Sequence, residues 1–149
     1  MKFIGKDGQE MELKILGYQF PAHLENEWDA NWLRIYLKVR SNVGHWQTVD
    51  PSLTTGEVKE LIAWFSDLSQ GKEVQFSEMR FIEPNLLFQH LDKNKDGKTI
   101  QIRFNSESRP ITADDDREYF IDFSFSNQEL ATIASDLTLE LERVTKAIP

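Results

Sequence analysis

Hydrophobic and polar residues alternate along much of the chain with a period of two, which is typical of β-strands with one buried face. The clearest run is 31–40, in which every second residue is aliphatic: Leu33, Ile35, Leu37 and Val39. A second run, from Met11 to Phe20, changes phase at Gly17, and this predicts a β-bulge. Similar patterns predict strands at 2–4, 45–49, 74–82, 86–91, 99–104 and 118–125.

Two segments have the helical period instead, and each begins with a capping box. Thr54 precedes Glu57 by three residues, and Ser126 precedes Glu129 by the same spacing, so each pair can satisfy two backbone N–H groups of a first helical turn. Gly71 is a plausible end for the first helix. Both segments carry one apolar stripe, which indicates helices that cover a sheet.

The order of these elements predicts the fold class. Strands and helices do not alternate regularly, which argues against a parallel sheet. We expect an α+β fold: a mainly antiparallel, twisted sheet of about six to eight strands with two amphipathic helices, one mid-chain and one C-terminal, packed on it. Residues 1–149 show no linker or repeat and predict a single domain. The polar stretch 105–117 reads as a mobile loop.

Composition narrows the function classes. The net charge is −8 and cysteine is absent, so neither a disulfide framework nor a thiolate nucleophile is available. An acidic protein repels phosphate backbones and anionic lipid, so we expect no direct nucleic acid or membrane partner. The N-terminus turns polar by Lys6, too early for a signal peptide, and we expect a cytoplasmic location.

The sequence contains no complete motif for a catalytic or metal-binding site. The run from Asp92 to Gly97 matches the opening of a calcium-binding EF-hand loop, but Arg103 stands where a bidentate glutamate is required. The histidines His23, His45 and His90 are too far apart in sequence to form a zinc motif. No nucleophile elbow or phosphate-binding glycine motif is present. We therefore expect neither an enzyme nor a cofactor or metal site.

Aromatic and acidic residues cluster around the run 31–40. They are Glu25, Glu27, Trp28, Asp29 and Trp32, joined by Trp46 on the next strand. Two interpretations are open. Helices on both faces of the sheet would make the aromatic rings core residues, which we favour. Otherwise the rings form an exposed patch rimmed by carboxylates, a composition expected of a binding hot spot.

A second acidic feature is the run Asp114, Asp115 and Asp116. Such a run is usually a solvated loop, and the alternative is an attachment point for a positively charged partner. These three residues and the cluster around Trp28 are the candidate partner-binding residues of the chain.

An ordered set of motifs resembles the WapI-type family of bacterial immunity proteins. The set comprises Tyr18-x-Phe20-Pro21, Asp29-Ala30-Asn31-Trp32-Leu33, Gly44-x-Trp46, Asp50-Pro51-Ser52-Leu53 and Phe81-Ile82-Glu83-Pro84-Asn85-Leu86-x-Phe88. The resemblance runs over essentially the whole chain. It implies a cytoplasmic protein that binds and neutralises the toxic C-terminal domain of a contact-delivered polymorphic toxin. The founding member counteracts a tRNA-cleaving toxin, and the family offers no catalytic residues to carry over.

Two functions are therefore compared. The first is a non-catalytic immunity protein that occludes a basic toxin domain. The opposite charges of the two proteins would speed their association and make their surfaces complementary. The alternative is a small-molecule-binding or regulatory module with a pocket beside Trp28, Trp32 and Trp46. A deep cavity at these residues would favour the alternative.

Overall fold

The computed structural model describes residues 1–20, 31–91, 98–114 and 116–145. In this part of the chain, eight strands form two antiparallel four-stranded sheets, accompanied by two helices. The strands are β1 (Lys2–Ile4), β2 (Glu10–Tyr18), β3 (Trp32–Ser41), β4 (Gly44–Thr54), β5 (Glu78–Met79), β6 (Leu86–His90), β7 (Lys98–Phe104) and β8 (Tyr119–Phe125). The helices are α1 (Thr55–Ser69) and α2 (Asn127–Thr145). The predicted α+β class is confirmed, with one helix mid-chain and one C-terminal.

The first sheet has the order β1-β2-β3-β4. A tight turn joins β1 to β2, where Asp7 and Gly8 have φ values of 58° and 75°. The Gln9 N–H donates to the Lys6 carbonyl oxygen at 3.1 Å, so Asp7 and Gly8 are the central residues of a β-turn with positive φ at both positions, for which Asp-Gly is a preferred pair. The register between β2 and β3 shifts between Ile15 and Gly17, so the predicted bulge is confirmed. Strand β4 is longer than predicted, and its outer position in the sheet tolerates Pro51, which lacks an N–H.

The second sheet has the order β5-β6-β7-β8. The strand predicted over 74–82 is largely wrong, because only Glu78–Met79 pairs with β6. The carbonyl oxygen of Phe76 instead accepts a hydrogen bond from the Trp64 indole N–H at 3.0 Å. A side chain of α1 thus satisfies this carbonyl oxygen without a strand partner, and sequence alternation alone does not reveal that contact.

Both helices begin as their capping boxes predict. The Glu57 N–H donates to Thr54 Oγ1 at 3.2 Å, and the Thr54 N–H donates to a Glu57 carboxylate oxygen at 3.0 Å. The reciprocal bonds between Ser126 and Glu129 are both 3.0 Å. Just after α1, Gly71 has a φ of 71°, a left-handed conformation that glycine adopts without strain at helix ends.

One hydrophobic core joins both sheets and both helices. Phe3 on β1 is fully buried, and its ring centroid lies 6.0 Å from that of Phe65 on α1, 6.2 Å from Phe88 on β6 and 6.1 Å from Phe123 on β8. The inner faces of the two sheets therefore pack into the same interior. In the described segments, neither helix has the length and hydropathy of a membrane-spanning segment.

Candidate partner-binding surface

The most exposed apolar side chain of the described chain lies in a loop before β8. We call residues 105–118 the acidic loop, since its sequence carries five carboxylates and two arginines. Ile111 is 100% exposed there, and Asp114 and Asp116 are also exposed. An aliphatic side chain that contacts nothing in its own protein, set beside carboxylates, has the composition of an interface anchor with a charged rim.

The first half of the acidic loop is fixed to the protein interior. It forms a short 3₁₀ turn, Ser106–Ser108, and the buried Ser108 hydroxyl donates to the carbonyl oxygens of Asn85 and Asn105. The Trp46 indole N–H donates to the Ser108 carbonyl oxygen at 2.8 Å. The predicted mobile loop is thus wrong for this part, because two buried side chains hold its backbone.

The second half of the acidic loop is fixed by Asp114 and Tyr119. The Asp114 N–H donates to the Tyr119 hydroxyl at 3.1 Å, and Asp114 Oδ1 accepts a hydrogen bond from the Asp116 N–H at 3.0 Å. The Arg117 N–H donates to the Asp114 carbonyl oxygen at 3.0 Å. Asp114 therefore both shapes the turn and presents a carboxylate to solvent, while Ile111 lies between two anchored ends.

Trp46 is a core residue. It is 8% exposed, and its ring makes edge contacts with Phe104 at 5.5 Å and Tyr119 at 5.8 Å. Trp32 is half-buried and points to the opposite face of the first sheet, so the two rings do not form one patch. Trp46 is thus a core residue, although the second sheet buries it and not a helix on each face of the first sheet.

The other candidate residues are divided between the loop and the undescribed part of the chain. Asp114 and Asp116 lie together in the acidic loop, as their sequence proximity requires. The remaining candidates lie outside the described residues: Glu25, Glu27, Trp28, Asp29 and Asp115. Ile111 was missed by the sequence analysis, because a single aliphatic residue in a polar loop has no periodic signal. Its only signal was its position between Pro110 and the acidic run.

The outer face of the first sheet is positively charged, opposite in sign to the acidic loop. The strand register places seven exposed or half-buried charged residues on that face: Lys2, Lys14, Arg34, Lys38 and Arg40 with Glu10 and Glu12. This local excess of three positive charges stands out in a protein of net charge −8. A basic partner is repelled there and attracted to the acidic loop, so the two faces differ in the partner they favour.

Several residues of the motifs that carry the family resemblance contact one another inside the protein. Asn85 is 1% exposed, and its amide nitrogen donates to Asp50 Oδ2 at 2.7 Å and to Ser52 Oγ at 2.9 Å. The main-chain carbonyl oxygen of Asn85 also accepts a hydrogen bond from the Ser108 hydroxyl. These bonds connect β4 of the first sheet with the start of β6 in the second sheet and with the acidic loop.

Glu57 extends this buried network to α1. Besides its capping-box bonds, its Oε2 accepts the Ile82 N–H at 2.8 Å. One carboxylate therefore fixes both the start of α1 and the backbone that leads into Asn85. The motifs at 50–53 and 81–85 thus build the frame that carries the acidic loop.

Surface clefts lie away from the aromatic residues considered for a small ligand. One cleft of about 580 Å³ lies between the end of α1 and the start of α2 and is lined by Lys72, His90, Lys98 and neighbours. Neither Trp32 nor Trp46 lines this cleft or the three smaller ones at 510, 380 and 170 Å³. None of these four clefts therefore matches the aromatic pocket of the alternative function.

In the described segments, no group of three His, Asp or Glu side chains converges in a way that could hold a metal ion. The calcium-like run 92–97 lies outside the described residues. Its C-terminal flank is strand β7, where Arg103 donates to Gln101 Oε1 at 2.7 Å and contacts Glu118 at 3.4 Å. An EF-hand requires a helix there.

Comparison with known proteins gives a family but no individual relative. No curated protein and no solved structure matches the chain significantly. The model of the immunity protein WapI-like family matches residues 2–145. Since this match spans nearly all of the chain, including both sheets, both helices and the acidic loop, the protein belongs to the WapI-like family of immunity proteins.

Proposed function

We propose that this protein is a non-catalytic, cytoplasmic immunity protein that neutralises a cognate toxin domain by binding to it. The proposal rests on the family and on one observation, the fully exposed Ile111 beside the carboxylates of the acidic loop. A free protein gains nothing from exposing this side chain, whereas burial of an isoleucine in a partner is favourable by about 1.5–3 kcal/mol. Occlusion of the toxin then requires no cofactor and no reacting group.

The charge distribution favours a basic partner. A toxin domain that cleaves nucleic acid must hold an anionic backbone, so its active-site surface is positively charged. The acidic loop would be attracted to such a surface, while the basic outer face of the first sheet would be turned away from it. We therefore propose a nuclease domain as the partner, with the acidic loop covering its substrate-binding surface.

Co-expression tests the proposed function directly. Cells that produce the toxin domain encoded immediately upstream should survive when this protein is also produced, and the purified proteins should form a complex in solution. The matched control is the same toxin domain produced with an immunity protein from an unrelated family. Continued killing together with no complex would contradict the proposal.

Electrostatic steering by the acidic loop has its own test. The double change Asp114→Asn and Asp116→Asn removes two negative charges but keeps the side-chain oxygen that caps the turn. We expect association with a catalytically inactive toxin domain to slow about fivefold at low ionic strength, with little change in high salt. Stopped-flow fluorescence measures both rates.

A control with the same change in net charge separates local steering from overall charge. Gln47→Lys and Val49→Lys add two positive charges to exposed positions of β4 on the outer face of the first sheet. This variant should associate at nearly the wild-type rate. Equal slowing of both variants would show that only net charge matters and that the acidic loop is not the docking surface.

A further inference from the structure

Phe76 is a second exposed apolar side chain in a fixed position. It is 61% exposed, and it lies between α1 and β5. Its carbonyl oxygen accepts the Trp64 indole N–H at 3.0 Å, and the buried Trp64 packs edge-on against Phe65 at 5.2 Å. The backbone of Phe76 is thus attached to the core while its ring faces solvent. Because the backbone is held and a phenylalanine side chain has only two rotatable bonds, little conformational entropy is lost when a partner covers the ring.

Phe76 forms one wall of an open groove of about 510 Å³ between α1 and β5, which we call the Phe76 groove. Met79 adds a second apolar side chain, and Glu60 and Glu78 supply two carboxylates. Arg80 contacts only one of these carboxylates, donating to Glu78 Oε2 at 2.9 Å through both Nε and a terminal nitrogen. The groove therefore keeps a net negative charge at Glu60 beside its apolar wall.

The outer face of the second sheet connects the Phe76 groove with the acidic loop. Gln89 lines the groove and is the register partner of Gln101 on β7. Gln101 accepts a hydrogen bond from Arg103, and Arg103 pairs with Glu118 at the end of the acidic loop. Four strands spaced about 4.8 Å apart span about 14 Å across the sheet, and β6, from Leu86 beside the acidic loop to His90 near the groove, adds about 14 Å along the strands. A standard interface of about 800 Å² per partner is wide enough to cover both features.

We propose that the Phe76 groove is a second docking site for the same toxin, and that it receives a toxin segment carrying an apolar side chain next to a lysine or arginine. This inference rests on the proposed function and adds to it the place and chemistry of a second contact. The apolar side chain packs on Phe76 and Met79, and the cation pairs with Glu60. The outer face of the second sheet then lies under the toxin, and the basic face of the first sheet stays in solvent.

The test is the change Phe76→Ser, with Leu139→Ser as a matched control. Leu139 lies on α2 and is also 61% exposed, so both changes remove an apolar side chain of equal exposure. We expect Phe76→Ser to speed dissociation of the inactive toxin domain about 30-fold, as for a binding hot spot, and Leu139→Ser to change it less than twofold. Glu60→Gln should speed dissociation about threefold. Thermal unfolding should be unchanged, because the backbone bond to Trp64 remains.

The outcomes separate this inference from the proposed function. If the wild-type protein binds the toxin domain but Phe76→Ser and Glu60→Gln dissociate at the wild-type rate, the groove proposal is wrong and the immunity function stands. If the wild-type protein forms no complex with the toxin domain, the proposed function itself is wrong, and the groove proposal is wrong with it.

Discussion

Replacing Asn85 with aspartate is expected to lower the free energy of unfolding by about 4 kcal/mol. The Asn85 amide donates to Asp50 at 2.7 Å and to Ser52 at 2.9 Å, at a site where Asn85 is almost completely buried. Aspartate has nearly the same shape but no amide hydrogens. The change therefore removes the amide donor of Asn85, which leaves the hydrogen bond to Asp50 unmade, and brings a second carboxylate within contact of Asp50, where like charges repel strongly.

Chemical denaturation with urea at neutral pH measures this decrease in the free energy of unfolding. Two further variants give the contribution of the hydrogen bonds alone and the effect of a neutral surface change. Asn85→Ala removes the hydrogen bonds without adding a charge and should cost about 2.5 kcal/mol. Ser124→Ala, at an exposed position on β8, should stay within about 0.5 kcal/mol of the wild type. If Asn85→Asp proves as stable as Ser124→Ala, the network around Asn85 does not hold the two sheets together.

The residues of this network, several of which belong to the family motifs, lie in the protein interior. Asn85, Ser52 and Glu57 are buried, and they connect the two sheets and α1. Side chains buried in this way specify the frame and cannot distinguish one toxin from another. Under the proposed function, selectivity for a partner must therefore come from exposed positions, and Ile111 and Phe76 are two of these.

Local chemistry explains which elements the sequence predicted well. A capping box such as Thr54 with Glu57 needs only residues three positions apart, and the bulge at Gly17 follows from a phase change within one strand. Both features are complete within a few residues. The fold class follows from the same local patterns, since the number and order of the elements already exclude a regular βαβ arrangement.

Contacts between distant residues explain what the sequence did not predict. Strands β4 and β5 belong to different sheets, and the sequence predicted α1 between them but not that the strands divide into two sheets there. The alternation over 74–82 suggested a strand, but the Trp64 indole binds the backbone there instead. The acidic run at Asp114 was visible from charge alone. The exposure of Ile111 depends on how Ser108 and Tyr119 fix the loop, and so it needed the structure.

The change Ile111→Asp is expected to speed dissociation of the toxin complex about 100-fold without slowing association. The proposed contact buries Ile111 in an apolar pocket of the toxin, and a carboxylate in that pocket loses the packing and is poorly solvated. The same change makes the acidic loop more negative, so steering toward a basic surface is kept or increased. The variant thus separates two effects of the acidic loop. Packing of the apolar side chain governs the dissociation rate, and the charge of the loop governs the association rate.

Stopped-flow association and surface-based dissociation measurements on the inactive toxin domain provide the two rates, with Leu139→Ser again as the exposed apolar control. The folded state should be unaffected, with a melting temperature within about 2 °C of the wild type, because Ile111 is wholly exposed and contacts no core residue. A dissociation rate unchanged by Ile111→Asp would mean that Ile111 stays in solvent in the complex. The acidic loop would then act through charge alone, and the apolar contact would have to be sought at the Phe76 groove.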